Sequence, residues 1–111
     1  MLDFLKPSPK QPVIWRQGDV FIIAVSTLPQ IGRVGRRPVL AEGEITGHSH
    51  SLADPSSGHL FAVRGELYLE VTADSATVVH EEHGPVVLPR GGYVVRIQRE
   101  YSPKAIRQVV D

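Results

Sequence analysis

Val20-Phe21-Ile22-Ile23-Ala24-Val25 places six apolar residues in succession. Side chains on a strand alternate between two faces, so a half-buried strand reads apolar, polar, apolar. This stretch is apolar on both faces. A strand of that kind has to be covered on both sides, in a closed barrel, a sandwich or an interface between copies. Upstream, residues 13–16 (VIWR) give a second strand, and Gln17-Gly18-Asp19 between the two reads as a turn or bulge. Downstream, residues 28–38 hold two glycines, two prolines and three arginines and are expected as a solvated loop.

Residues 38–43 and 44–52 are expected as the next two strands. In the second of these Thr46, His48, His50 and Leu52 share one face, which Leu52 directs inward. A loop follows at 53–58. Residues 60–63 and 66–72 flank a tight turn at Arg64-Gly65, with Leu67, Leu69 and Val71 facing in and Glu66, Tyr68 and Glu70 facing out. Residues 76–79, 86–88 and 92–101 add three strands, the last with Tyr93, Val95 and Ile97 on one face, and 105–110 a final edge strand. No window keeps a helical period over three turns. About nine short strands, punctuated by glycine and proline roughly every 8–12 residues, indicate an all-β barrel or sandwich. Met1 to Pro12 carries three prolines, which lack ladder donors, and is expected as an extended proline-rich arm ahead of a single all-β domain over 13–111.

Composition narrows the function classes. A chain of 111 residues is one domain with a modest core, and 41% apolar content argues against disorder. Twelve basic residues balance twelve acidic ones, which disfavours a protein devoted to nucleic acid or to an anionic membrane. The absence of cysteine removes disulfides and thiolate metal sites and fits the cytoplasm. No apolar run at the N-terminus suits a signal peptide or a membrane span. The doubly apolar strand and the arm point to a homo-oligomer, most simply a two-fold dimer. Arg90, Arg96, Arg99, Lys104 and Arg107, interleaved with Tyr93 and Tyr101, are the alternative: a basic aromatic surface for nucleic acid on a non-catalytic interaction module.

Four of the five histidines lie in two short stretches, Gly47-His48-Ser49-His50 and His80-Glu81-Glu82-His83-Gly84. On an extended chain His48 and His50 point to one face, and a bend before Gly84-Pro85 would gather His80 and His83. Four imidazoles with two carboxylates and no thiol are the donor set of a nitrogen/oxygen metal site. His48, His50, His80 and His83 are therefore the candidate ligands of a divalent ion: zinc, iron, nickel, manganese or copper(II). Glu82 is expected as the functional carboxylate, either ligand or general base, with Glu81 secondary. An open coordination position would suit hydrolysis or isomerisation of a small-molecule substrate, and a closed one a structural site. His59 is expected on the surface.

Two resemblances accompany these residues. The glycine and H-x-H at Gly47 to His50, the strand-rich middle with Glu66 and the later Gly84-x4-Pro89-x-Gly91 resemble the two motifs of the cupin β-barrels. That resemblance implies a cupin-like barrel with His48 and His50 as paired metal ligands. The cupin glutamate position falls at Asp54-Pro55 and the last histidine position near Tyr93. The chain also looks like a group of small uncharacterised bacterial and phage proteins. Its matching stretches are Arg16 to Val20, Gly47 to His50, His80 to Gly84 and Arg99 to Tyr101.

Overall fold

A computed structural model of the chain describes residues 13–42, 48–98 and 109–110. It is all-β. Strand β1 (Ile14–Gln17) turns through Gly18-Asp19 into β2 (Val20–Val25), and β3 (Val34–Arg36), β4 (Val39–Glu42) and β5 (Ser49–Leu52) follow. A 3-10 turn at Pro55–Ser57 leads into β6 (Gly58–Val63), β7 (Glu66–Val79) and β8 (Val86–Ile97), and β9 (Val109–Val110) ends the series. The arm at residues 1–12, residues 43–47 and most of the C-terminal stretch lie outside the described residues.

Strand β2 meets the expectation drawn from its sequence. Val20 to Ile23 are all buried, Val20 and Ile22 in one apolar cluster and Phe21 and Ile23 in a second with Ile14 and Val94. Both faces are thus covered within one chain. The larger cluster also takes Leu40, Leu52, Leu60, Leu69, Val78, Leu88 and Val95, so six strands from β2 to β8 line one interior. Fully burying a Leu, Ile or Phe side chain contributes roughly 1.5–3 kcal/mol.

The sheet runs β3-β6-β7-β8-β2-β1-β9, with β4 and β5 attached through β5 to β7. Its path does not close among the described residues, so the arrangement is a curled, sandwich-like sheet rather than a closed barrel. Strand β7 is the spine. It pairs with β8 along one side, and on the other with β6 over Glu66 to Val71 and with β5 at Val78 and Val79.

Three expectations need correction. The loop expected at 28–38 contains β3, an edge strand exposed at all three residues that pairs with β6 through its backbone. Residues 66–79 form one strand instead of two, and so do 86–97. Both carry an irregularity where Val71 pairs with Gly91 and Ser75 with Pro89. The buried positions on β7 accordingly switch from odd (Leu69, Val71) to even (Ala76, Val78), and Gly91, at φ 152°, takes up a backbone angle closed to other residues. The basic aromatic surface does not form over its described part. Tyr93 is buried against Trp15, Arg96 pairs with Glu66 at 2.8 Å, and Arg90 pairs with Asp74 at 2.9 Å.

Candidate functional site

The β5 end of the spine gathers all four histidines of the two motifs. His50 lies on β5 between Ser49 and Ser51, and β5 pairs with the end of β7, which delivers His80 one residue beyond its last position. Residues 81–83 then bend before Gly84, bringing His83 back. The ring centroids of His50 and His80 stand 4.2 Å apart, His80 and His83 4.7 Å, His48 and His80 5.6 Å, and His50 and His83 6.2 Å. The bend expected before Gly84-Pro85 is present.

His50 is the buried member, only 5% exposed. Its Nδ1 lies 2.8 Å from Gln17 Oε1. The orientation of the Gln17 amide is fixed by its other contacts, because its nitrogen donates to the carbonyls of Val78 at 3.0 Å and Gly84 at 2.8 Å. A carbonyl can only accept. Gln17 Oε1 is therefore the acceptor toward His50, whose Nδ1 carries the hydrogen and whose Nε2 keeps its lone pair. Burial, with His80 and His83 beside it, pushes the His50 pKa down from 6.5 to about 4 against the opposing pull of Asp19 and Glu81. The ring is neutral at pH 7.

His80 has the opposite arrangement. Its Nδ1 accepts the Glu82 backbone N–H at 3.0 Å, which leaves the hydrogen of the neutral ring on Nε2. Coordination by His80 would require rearranging that bond. His83 is exposed and lies against the β1–β2 turn: a Cβ on Gly18 would stand 2.7 Å from His83 Nε2. Gly18, at φ 60°, is needed for the turn and for the approach of this ring.

Both carboxylates of the motif turn toward β5. Glu81 accepts the Ser49 backbone N–H at 3.0 Å, a bond that holds its carboxyl below the ordinary glutamate range. Glu82 Oε1 is 3.6 Å from His48 Nδ1. Adjacent residues on a straight strand would face opposite sides, but residues 81–83 are bent and both glutamates reach the same side. His48, His80 and Glu81 offer ligand atoms all within 4.8 Å of one another. Two residues at the β1–β2 turn, which residue type alone marks only as a turn, also lie here: Gln17, 2% exposed, and Asp19, whose Oδ1 lies 3.7 Å from His50 Nε2. A cleft of about 280 Å³ lined by Arg16, Gln17, Gly18, His83 and Gly84 opens beside them.

The remaining candidates lie elsewhere. His59 is exposed on β6, at a separate and roomier cleft of about 370 Å³ with Arg33, Arg36 and Phe61. Arg33 there is committed to Glu70, to the Pro29 carbonyl and to the face of Phe61. Asp54 caps the 3-10 turn through Ser56, and Tyr93 donates its hydroxyl to the Pro89 carbonyl within the core. Neither position supplies the further ligand of the cupin pattern.

No helix of the described residues is long and apolar enough to cross a membrane. No curated protein and no solved structure matches the chain. The family model for a domain of unknown function (DUF8820) matches residues 16–98, a span that takes in both histidine stretches and the β1–β2 turn, and the chain belongs to that family.

Proposed function

We propose that this chain binds a divalent metal ion among His48, His50, His80 and His83. The observation that carries the reading is the crowding of four imidazoles, each ring within 4.2 to 6.2 Å of a neighbour, beside two carboxylates. The donor chemistry fits such an ion. Imidazole and carboxylate suit zinc, iron, nickel, manganese or copper(II), and His50 already presents one unprotonated nitrogen. The ligand atoms of His48, His80 and Glu81 lie within 4.8 Å of one another, close to the roughly 4 Å that two donors on one ion span, and His80 would join by rearranging its bond with the Glu82 amide. When bound, the ion would supply Lewis acidity toward a small-molecule substrate, for hydrolysis or isomerisation. Glu82 is the carboxylate we place as proton acceptor at that site, and Gln17 holds His50 in orientation.

Elemental analysis of protein purified without a histidine tag tests this. About one equivalent of a divalent transition metal is expected, lost in His48→Ala and His50→Ala and retained in His59→Ala. Metal-free wild-type protein that takes up no ion on titration would sink the proposal.

A further inference from the structure

The contact between His50 and Asp19 points beyond the histidine cluster. His50 Nδ1 is bonded to Gln17 Oε1, so the nitrogen facing Asp19 is the one bearing the lone pair. Asp19 Oδ1 stands 3.7 Å away, too far for a direct hydrogen bond, and a carboxylate oxygen has no hydrogen to give. Two electron-rich atoms, one on a buried ring and one on a largely exposed carboxylate, thus face each other in mutual repulsion. A shared cation would offset it. Two donors each about 2.0–2.2 Å from one ion lie no more than about 4.4 Å apart, and 3.7 Å falls within that reach.

Among the described residues, Asp19 also has little else to hold it there. Its side chain is 60% exposed, and its described role in the fold runs through its backbone carbonyl, which accepts the Gln98 N–H at 2.8 Å. Gln17, by contrast, is spent entirely on three bonds that orient His50 and tie it to β7 and Gly84. His83 lies near-parallel to His50 at 6.2 Å and rests on Gly18, between these two residues in sequence. A turn whose Gln17 orients one imidazole, whose Gly18 carries a second and whose Asp19 sets a carboxylate beside the first is more than a connection between strands.

We propose that Asp19 is a carboxylate ligand of the same divalent ion as His50, and that Gln17 is the positioning residue that presents His50 Nε2 to it. This rests on the metal-binding reading above and extends the site from two histidine motifs to the β1–β2 turn. It also predicts the class of ion. A carboxylate beside imidazoles favours zinc, manganese, iron or nickel over copper(I), which selects soft sulfur ligands.

The test uses the full-length chain, stripped of metal and titrated with zinc(II) and with cobalt(II), whose visible spectrum reports its ligand set. Asp19→Asn keeps the shape of an exposed turn residue and should weaken affinity at least 10-fold, with a changed cobalt spectrum. Gln17→Met should weaken it 10- to 100-fold, the usual range for losing a partner that orients a ligand. Nitrogen-15 NMR of the metal-free wild type at pH 7 should show His50 protonated on Nδ1 alone, and Gln17→Met should lose that single tautomer. Asp19→Asn binding as tightly as wild type, with an unchanged spectrum, would overturn the inference while leaving the histidine site standing. A doubly protonated His50 at pH 7 would overturn it too, since Asp19 would then be an ion-pair partner. Wild type that binds neither metal would remove both proposals.

Discussion

Leu69 and His50 are both nearly closed to solvent, at 0% and 5% exposure, yet different physics holds each of them. Leu69 sits in the first half of β7 among Leu60, Val71, Tyr93 and Val95, where apolar area removed from water does the work and no contact is specific. His50 lies beside the far end of the same strand, where each polar atom needs a named partner. One glutamine supplies the partner of Nδ1 and ties the ring to two backbone carbonyls on other segments. The apolar half tolerates exchange among similar shapes, whereas the histidine half depends on atoms. Stability and site geometry are therefore separable along one strand.

The largest effect expected from this contrast is on stability. Leu69→Ala should cost about 2–5 kcal/mol in urea denaturation, the range for a buried leucine that leaves a cavity. Metal uptake by the folded protein should be unchanged. A loss of metal affinity with folding intact would mean that the two halves are coupled.

A smaller effect should appear on acidification of the metal-free protein. The folded His50 pKa is depressed to about 4 while the unfolded chain keeps the ordinary value near 6.5, so the unfolded state binds the extra proton first. Stability is then full above pH 6.5 and falls as pH drops toward 4. Urea midpoints at pH 7.5, 6 and 5 should decline in wild type and decline less in His50→Gln. Parallel declines in the two proteins would assign the loss to groups other than His50.

The smallest effect separates the paired glutamates. Glu82→Gln, 3.6 Å from His48 in the parent, should lower metal affinity, while Glu81→Gln should be mild because its carboxylate serves the Ser49 amide. Equal and negligible changes in calorimetric titrations of the two variants would leave the site to the imidazoles and Asp19.

How much of this was legible beforehand follows from the same contrast. Burial leaves a pattern in the sequence, so β2, the inward face at Leu67 to Val71 and the turn at Arg64-Gly65 could all be read from residue type. Strand β3 could not, because all three of its residues are exposed and only backbone pairing makes it a strand. The continuity of β8 was hidden by Pro89, Gly91 and Gly92, which look like breaks until the irregularity opposite them on β7 absorbs the misfit. The histidines announced themselves by chemistry and spacing. Gln17 and Asp19 did not, since a glutamine and an aspartate beside a glycine look like any hairpin tip. The one available hint was that Gln17 shares the strand face of Trp15, which packs against the main core.

That tip has a consequence for how the chain tolerates changes of length. Exposed turns are normally where insertions do least harm. The turn at Arg64-Gly65 fits the rule, with open space around Gly65 and only the strand ends Val63 and Glu66 to keep in register. Gly18-Asp19 looks equally permissive from outside, yet one added residue there would displace the backbone on which the His83 ring rests and carry Asp19 away from His50. Of the two hairpin tips, the β1–β2 turn is the one whose length the site itself fixes, so a loop graft or a circular permutation belongs at the other.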